Sequence, residues 1–306
     1  MVRSSLAEPI CVGLGICALD YIFFVDKYPH LDDKIDSQYF SRQGGGPVPN
    51  ALCTLSRFGI KSSFVGKCGR DHDGTAIIEE LKIFGVDTSH LTCDPDSRSA
   101  RAFIIVEKQT GKRTIILDRL ESSAVAPDEI PKDLIQSAKY LLLDGRDQEA
   151  AQTAAMIAKK ADVDVVLDAG SARSGLGDLL PHVDHLVCSE KFSAHFTQEE
   201  DPGRAALKFV WTGFKSVVIT CGAKGSVGAT PEGELFEQDA FKVEMIDTTG
   251  AGDIFHGAYI FGLLQGWEMQ KNLEFSSAAA ALKCSRIGGR HGIPELTDVY
   301  SFLKWK

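Results

Sequence analysis

The amino-acid sequence predicts an α/β fold with a mostly parallel central sheet and a second, smaller β-sheet. Apolar runs of strand length alternate with segments of helical period, which is typical of βαβ units. Two further stretches are extended and alternating, with no helix between their paired runs. The first observation predicts the central sheet, and the second indicates strands that lie outside the βαβ pattern.

Each element of the central sheet follows from this alternation. The predicted strands are the apolar runs 10–15, 63–66, 140–144, 163–168, 185–188 and 216–220. The predicted helices are the periodic segments 48–58, 73–84, 148–160, 204–212, 251–265 and 273–284. Because a helix between two strands returns the chain to the starting edge of the sheet, this order favours parallel pairing.

The smaller sheet is predicted from residues 21–42 and 101–117, which are rich in Ile, Phe, Val and Thr. Gly111, within residues 109–112, is suited to a hairpin turn. We expect these strands to lie beside the main domain as a lid over a cleft. A small sheet leaves an unpaired edge, which favours a homodimer formed through the lids.

Composition narrows the classes of partner. The 306 residues carry 33 Lys and Arg against 42 Asp and Glu, a formal net charge of −9, which argues against nucleic acid or an anionic membrane as partner. The apolar runs are too short and too interrupted to span a bilayer, and the N-terminus lacks the apolar core of a signal peptide. The eight cysteines form no C-x-x-C pair, so buried, reduced thiols and a cytoplasmic location are expected.

The strongest chemical signal is the run Asp-Thr-Thr-Gly-Ala-Gly-Asp at residues 247–253, directly before a long apolar helix. The free N–H groups of Gly250, Ala251 and Gly252 favour an anion at the start of that helix. Asp253 beside such an anion makes chemical sense as the base that takes a proton from an alcohol attacking a phosphate. The alternative is that Asp253 only caps the helix.

A second run, Gly-Gly-Gly-Pro-Val-Pro-Asn at residues 44–50, also opens a helix. The glycines and the early proline place free N–H groups and the Asn50 side chain near a ligand. A simple junction between a loop and a helix is the alternative.

Together the two runs resemble the signatures of the ribokinase-like carbohydrate kinases, the PfkB family. The N-terminal signature corresponds to Gly45, Gly46 and Asn50 followed by the Gly-Arg-Asp-His-Asp-Gly segment 69–74, and the C-terminal one to residues 247–253. The resemblance extends from Val12 to about Pro294. It implies a three-layer αβα sandwich, a single kinase domain over residues 1–306, and an inserted lid formed by about 21–43 and 100–118.

The resemblance also implies ligands and roles for individual residues. ATP and Mg²⁺ are the expected cofactors, and K⁺ is expected in some members. The implied sugar-binding residues are Asp20, Gly45, Gly46 and Asn50, and the implied catalytic residues are Gly250, Ala251, Gly252 and the base Asp253. The implied nucleotide-binding residues are Thr220, Gly222, Gly225, Ser277 and Ala281. The carbonyl of Asp247, with the loop 285–290, matches a monovalent-cation site. The family's Asn-x-x-Glu motif is replaced by residues 189–192, so Glu190 is expected to reach Mg²⁺ only through water.

Two resemblances within the family concern the sugar. The segment 281–294 is similar to sulfofructose kinases, which implies that Lys34 and Arg146 hold a sulfonate. Leu117 or Asp118 replaces an Asn used there, and an acidic residue would repel a sulfonate. The first half of the chain resembles ketohexokinase, and both comparisons imply a ketose phosphorylated on a primary hydroxyl.

Several alternatives remain open at this level. Lys34 can be a solvated surface residue, and Arg146 can close a structural ion pair. A nucleoside or ribose kinase of the same family is one alternative function. A sugar or nucleotide sensor without catalysis is another, although such a sensor has no need of a base at Asp253.

Overall fold

The computed structural model describes residues 10–119, 122–173 and 175–305, which contain thirteen strands and ten α-helices. The strands are β1 (Cys11–Leu14), β2 (Ala18–Val25), β3 (Tyr39–Gly45), β4 (Ser62–Gly69), β5 (Asp87–Asp94), β6 (Ala100–Glu107), β7 (Arg113–Asp118), β8 (Tyr140–Leu143), β9 (Asp164–Ala169), β10 (His185–Ser189), β11 (Ser216–Thr220), β12 (Ser226–Ala229) and β13 (Leu235–Gln238). The helices are α1 (Pro47–Arg57), α2 (His72–Ile83), α3 (Lys132–Ser137), α4 (Gln148–Lys160), α5 (Leu176–Leu179), α6 (Glu190–Thr197), α7 (Pro202–Val210), α8 (Ala251–Leu264), α9 (Met269–Cys284) and α10 (Leu296–Leu303).

The central sheet has nine strands in the order β13-β12-β11-β10-β9-β8-β1-β4-β5. The seven strands from β11 to β5 are parallel, while β12 and β13 extend the sheet as an antiparallel pair. This arrangement confirms the predicted α/β fold with a mostly parallel sheet.

Helices cover both faces of this sheet, because its strands alternate between two apolar cores. In β8, Leu141 and Leu143 pack into a core with α4 and α7, whereas Leu142 packs into a core with α1, α8 and α9. The three-layer αβα sandwich is therefore present. No helix in the described ranges is long and apolar enough to cross a membrane.

A separate four-stranded sheet has the order β3-β2-β6-β7. Its two middle strands, β2 and β6, are parallel, and each outer strand pairs antiparallel with its neighbour. The two predicted extended segments supply all four strands, and Gly111 (φ 62°) lies in the turn between β6 and β7. The lid role of this sheet and the single-domain assignment stay predictions.

The elements that sequence periodicity missed are edge or short elements. Strand β5 is polar and mostly exposed, so it lacks the apolar run that marks a buried strand. Strands β12 and β13 have four residues each, too few for a clear alternation.

Candidate active site

A cavity of about 270 Å³ lies between the four-stranded sheet and the first turns of α1 and α8. Strand β2 contributes Asp20, and the other strands contribute mainly apolar and arginine side chains. Asn50 and Asp253 line the opposite side, each from the start of a helix. The structure therefore brings together three residues that the sequence motifs place far apart.

Asp253 lies in the first turn of α8, which follows Gly250 in the left-handed region (φ 76°). Its Oδ2 accepts a hydrogen bond of 2.7 Å from Nδ2 of Asn50. Burial raises the pKa of Asp253 to about 6, repulsion by Asp168 adds to the rise, and the bond from Asn50 opposes it. At neutral pH the carboxylate is ionised and able to accept a proton.

Asn50 is fixed on its other side by a buried cation. Its Oδ1 accepts a bond of 3.2 Å from Nε of Arg290, which is fully buried. Nη1 of Arg290 donates to Oε2 of Glu80 at 3.2 Å, and Nη2 donates to the carbonyl oxygen of Gly45 at 3.4 Å. The guanidinium thus ties the glycine run before α1 to the amide that contacts Asp253.

Glu80 has no counterpart among the sequence predictions, and Arg290 was included only as the last residue of the loop 285–290. Gly44 N–H also donates to Oε2 of Glu80, and His291 Nε2 lies 2.8 Å from its Oε1. These partners keep the pKa of Glu80 below its usual range although burial opposes them. A charged residue inside the glycine-rich loop 288–292 was the available signal, but only the fold shows what it contacts.

Asp20 is buried on β2 and faces the cavity. Burial raises the pKa of Asp20 to about 7, the charge of Arg290 lowers it, and the charge of Asp253 raises it. A Cβ atom on Gly45 would lie 2.2 Å from Oδ1 of Asp20, so any larger residue at this position would displace the Asp20 carboxylate. Gly46, the residue before α1, has φ 107° and lines the same cavity.

Four arginines line the cavity: Arg101, Arg113, Arg119 and Arg146. Arg101 pairs with Asp73 and lies 4.0 Å from Asp118, and Arg113 donates to Oγ1 of Thr248 at 2.7 Å. In contrast, Nε of Arg146 is buried with no hydrogen-bond partner in the described part of the chain.

Thr249 supplies a second buried polar atom without a partner among the described residues, its Oγ1. It lines the cavity together with Arg146. Buried polar atoms in proteins are usually satisfied, so these two are available to water or to a polar ligand in the cavity. Lys34, by contrast, lies in the exposed loop between β2 and β3 and is absent from the described cavity lining.

The five predicted nucleotide-binding residues lie together elsewhere. Thr220 ends β11 and pairs with Ser226 of β12, while Gly222 (φ 59°) and Gly225 (φ 103°) shape the turn between these strands. Oγ of Ser226 lies 3.5 Å from Oγ of Ser277 on α9, which also carries Ala281. None of the five lines the described cavity, so they form a second surface.

Glu190 is the carboxylate predicted near Mg²⁺. Glu190 begins α6 and accepts a bond of 3.1 Å from Nζ of Lys224. In the described ranges no group of three or more His, Cys, Asp and Glu residues is arranged to hold a metal ion. Mg²⁺ commonly binds through one or two carboxylates and substrate phosphates, so this arrangement fits an ion that arrives with a nucleotide.

Asp168 is a further acidic residue that sequence reasoning missed. It lies near the carboxyl end of β9, buried, with Oδ1 3.5 Å from Nε2 of His256. The carboxyl ends of parallel strands are where ligands of open α/β sheets bind, which was the available signal. His256 is buried, with Nδ1 2.7 Å from the carbonyl oxygen of Gly252.

Asp247 precedes the α8 turn and is completely buried. Its Oδ1 accepts from the N–H of Thr249 and its Oδ2 from the N–H of Gly288, each at 2.8 Å. Its carbonyl oxygen accepts a bond of 2.6 Å from Nζ of Lys283. Burial lowers the pKa of Lys283 to about 8. The predicted cation position therefore contains an ammonium group.

Comparisons with known proteins cover nearly the whole chain. The model of the pfkB family carbohydrate kinases matches residues 10–296. The chain is 27% identical to 5-dehydro-2-deoxygluconokinase of Geobacillus thermodenitrificans over 87% of this chain and 85% of the relative. It is 28% identical to ketohexokinase of Mus musculus over 91% and 96% of the two chains. The crystal structure of ribokinase from Thermotoga maritima superposes with a TM-score of 0.83 at 27% identity, over 97% of this chain and 99% of that one.

Proposed function

The chain belongs to the pfkB family of carbohydrate kinases and is a sugar kinase; from that premise we propose that it transfers the γ-phosphoryl group of ATP to a primary hydroxyl of a ketose, with Asp253 as general base. The observation that carries the proposal is the Asp253 carboxylate in the first turn of α8, held by Asn50 and facing the cavity. A carboxylate there opposes phosphate binding, so its use lies in accepting a proton.

In this mechanism Asp20, Gly46 and Asn50 hold the sugar between the small sheet and the main body. Asp253 accepts the hydroxyl proton as the phosphoryl group moves in line. The amides of Gly250 to Gly252 offset the charge that develops on the transferred group. The small sheet acts as a lid that excludes water, which would otherwise compete as acceptor.

ATP is proposed to lie on the surface formed by the β11–β12 turn and α9, with its phosphates directed towards the start of α8. Mg²⁺ supplies charge neutralisation on those phosphates when bound. Glu190 is proposed to reach the ion through water, in competition with its pairing to Lys224. The same proposal places the kinase in the cytoplasm, where ATP is supplied.

We propose further that the ketose carries an anionic group, as sulfofructose does. The buried and unpartnered Nε of the partly exposed Arg146 supports this, because a charged N–H donor without a partner is best satisfied by an anion. Arg113 and Arg119 add positive charge to the lining of the same cavity. Arg101 lies near Asp118, so part of the repulsion expected from that carboxylate is offset. Lys34 would take part only if its loop moves over the cavity.

The test is ATP turnover with Mg²⁺ against fructose, sulfofructose, ribose, fructose phosphates, inositol and nucleosides. Strong preference for one ketose supports the proposal, and turnover only with nucleosides or ribose replaces the substrate while keeping the base. No turnover with any acceptor would favour the sensor alternative.

Arg146→Leu tests the anion directly. We expect the KM for sulfofructose to rise about tenfold or more, with the KM for fructose unchanged, because only the former loses a charged hydrogen bond. Arg204→Leu is the matched control, since Arg204 is exposed on α7, pairs with Glu199 and does not line the described cavity. Equal effects of Arg146→Leu on both sugars would contradict the sulfonate assignment.

We also propose that two copies associate through the small sheet. Its edge strand β7 is exposed along all six residues, and Ile116, which is absent from the described cavity lining, exposes 57% of its surface. Unpaired edges of this kind favour pairing with a second copy. Ile116→Lys should convert the dimer to a monomer in sedimentation velocity, and a wild-type monomer at high concentration would refute the proposal.

A further inference from the structure

Lys283 lies in the last turn of α9 and is completely buried, which is rare for a lysine. Its Nζ lies 2.6 Å from the carbonyl oxygen of Asp247 and 3.4 Å from that of Arg286. The carboxylate Oδ2 of Asp247 is 3.8 Å away. Two carbonyl oxygens and a carboxylate oxygen therefore surround one ammonium group.

Oxygen sets of this kind are the surroundings that proteins use for alkali cations. The resemblance to the family implies a monovalent-cation site at this carbonyl and the following loop. A cation at these oxygens would stand against the Lys283 ammonium in a buried place, where like charges repel strongly. The residues present therefore do not fit a bound potassium ion.

We propose that the ammonium of Lys283 takes the place of the monovalent cation, and that this kinase works without potassium. The Cε atom of Lys283 would lie 3.0 Å from a Cβ on Gly292, so the loop is closed tightly around the side chain. The buried Asp247 carboxylate is the counter-charge that makes the substitution tolerable.

The ammonium acts on the site through two connections. Asp247 binds the N–H of Thr249, which leads directly into the Gly250–Asp253 turn. It also binds the N–H of Gly288, in the loop that carries Arg290. Lys283 is therefore a positioning residue for the starts of both α8 and α1.

The experiment compares Lys283→Ala, which opens space, with Lys283→Met, which removes the charge but fills the space. Lys160→Ala on the exposed last turn of α4 is the control. Thermal unfolding and ATP turnover are measured in potassium chloride and in tetramethylammonium chloride at equal ionic strength. Thermal unfolding needs no substrate, so a failure of the proposed kinase reaction is distinguishable from a failure of this inference.

For the wild type, Lys160→Ala and Lys283→Met, we expect the unfolding temperature of each protein to be the same in potassium chloride as in tetramethylammonium chloride. Lys283→Ala should gain about 2 °C or more in potassium, because the ion binds only the folded state. Its turnover should fall about 10–100-fold in tetramethylammonium and recover in potassium. Potassium activation of the wild type would overturn the inference, and so would a folded Lys283→Ala that potassium neither stabilises nor activates.

Discussion

The starts of α1 and α8 are two versions of one local design with different outcomes. Each helix follows a glycine with positive φ, Gly46 at 107° and Gly250 at 76°, and each faces the same cavity. The first turn of α1 presents a neutral amide, Asn50, whereas that of α8 presents an ionisable carboxylate, Asp253. The backbones differ as well, because Pro47 and Pro49 remove two N–H groups from the first turn of α1, whereas every residue in the first turn of α8 has one. The α8 turn is therefore the better suited of the two to an anion.

The two turns are also held by different means. A buried ion pair between Arg290 and Glu80 fixes the α1 side, together with the carbonyl of Gly45. The α8 side is fixed by Asp247 and its contact with Lys283. Changes at the α1 turn should therefore cost stability first, and changes at the α8 turn should cost turnover first.

Asp253→Asn, in the first turn of α8, should have the largest effect on turnover of all the variants. We expect kcat to fall by about 10²–10⁴-fold because the proton acceptor is lost, while the sugar's Kd stays within the same order. Turnover and calorimetric binding measure the two quantities. Asp133→Asn is a matched control, an exposed first-turn carboxylate on α3 away from the cavity. Near-normal turnover of Asp253→Asn would refute the base assignment.

Arg290→Met tests whether the buried ion pair at the first turn of α1 contributes mainly to stability. Removing one partner of a buried ion pair should lower the free energy of unfolding by about 3–5 kcal/mol. Urea unfolding measures this change, and Arg286→Met serves as control because its pair with Asp298 is half-exposed and worth about 1 kcal/mol at most. Equal losses in the two variants would mean that the buried pair contributes no more than a surface one.

Asn50→Ala links the two turns through pH. In the wild type we expect kcat/KM to fall as the pH drops below about 6, because Asp253 must be ionised to accept a proton. The bond from Asn50 favours the ionised form, so its loss should raise the pKa of Asp253 and move the acid limb to higher pH. A pH profile of kcat/KM for both proteins measures the shift. If the acid limb of the Asn50→Ala profile is unchanged, the titration that causes the limb belongs to another group, with Asp20 as the first candidate.

A pair of glycine substitutions should give the smallest effects. Gly46→Ala forces a Cβ to 2.3 Å from the carbonyl oxygen of Ile16 at a positive φ, so about 1–3 kcal/mol of stability should be lost. Gly252→Ala meets nothing within 4 Å and should leave the unfolding temperature unchanged or slightly higher. Because the γ-phosphoryl group is proposed to approach Gly252, turnover should still fall. Urea unfolding and turnover together separate the outcomes, and normal turnover of Gly252→Ala would place the phosphate elsewhere.

The strands, helices and helix starts that depend on a local sequence pattern were predicted from the sequence. Alternation and helical period predicted six of the seven parallel strands, all but β5, and six of the helices, and glycine runs marked both helix starts. Contacts between residues that are distant in sequence were not predicted. Glu80 and Arg290 are 210 residues apart, and Asp247 and Lys283 are 36 apart, so no local pattern joins them.

The predicted sulfonate residues show the same limit. Arg146 follows a central strand, and the fold brings it to the cavity. Lys34 lies in a loop of a small sheet whose position relative to the cavity depends on tertiary contacts. A resemblance in sequence can transfer a position on a strand more safely than one on an exposed loop, because loops vary and move.

The parallel pairing of β2 with β6 has a consequence for the newly made chain. These neighbours are separated in sequence by β3, α1, β4, α2 and β5, so the small sheet stays incomplete on the ribosome until residues beyond β6 have emerged. The cavity is incomplete for longer, since Asp253 arrives only with α8. A ligand of this cavity therefore cannot assist early folding, and strands that wait for distant partners are prone to aggregation in the meantime.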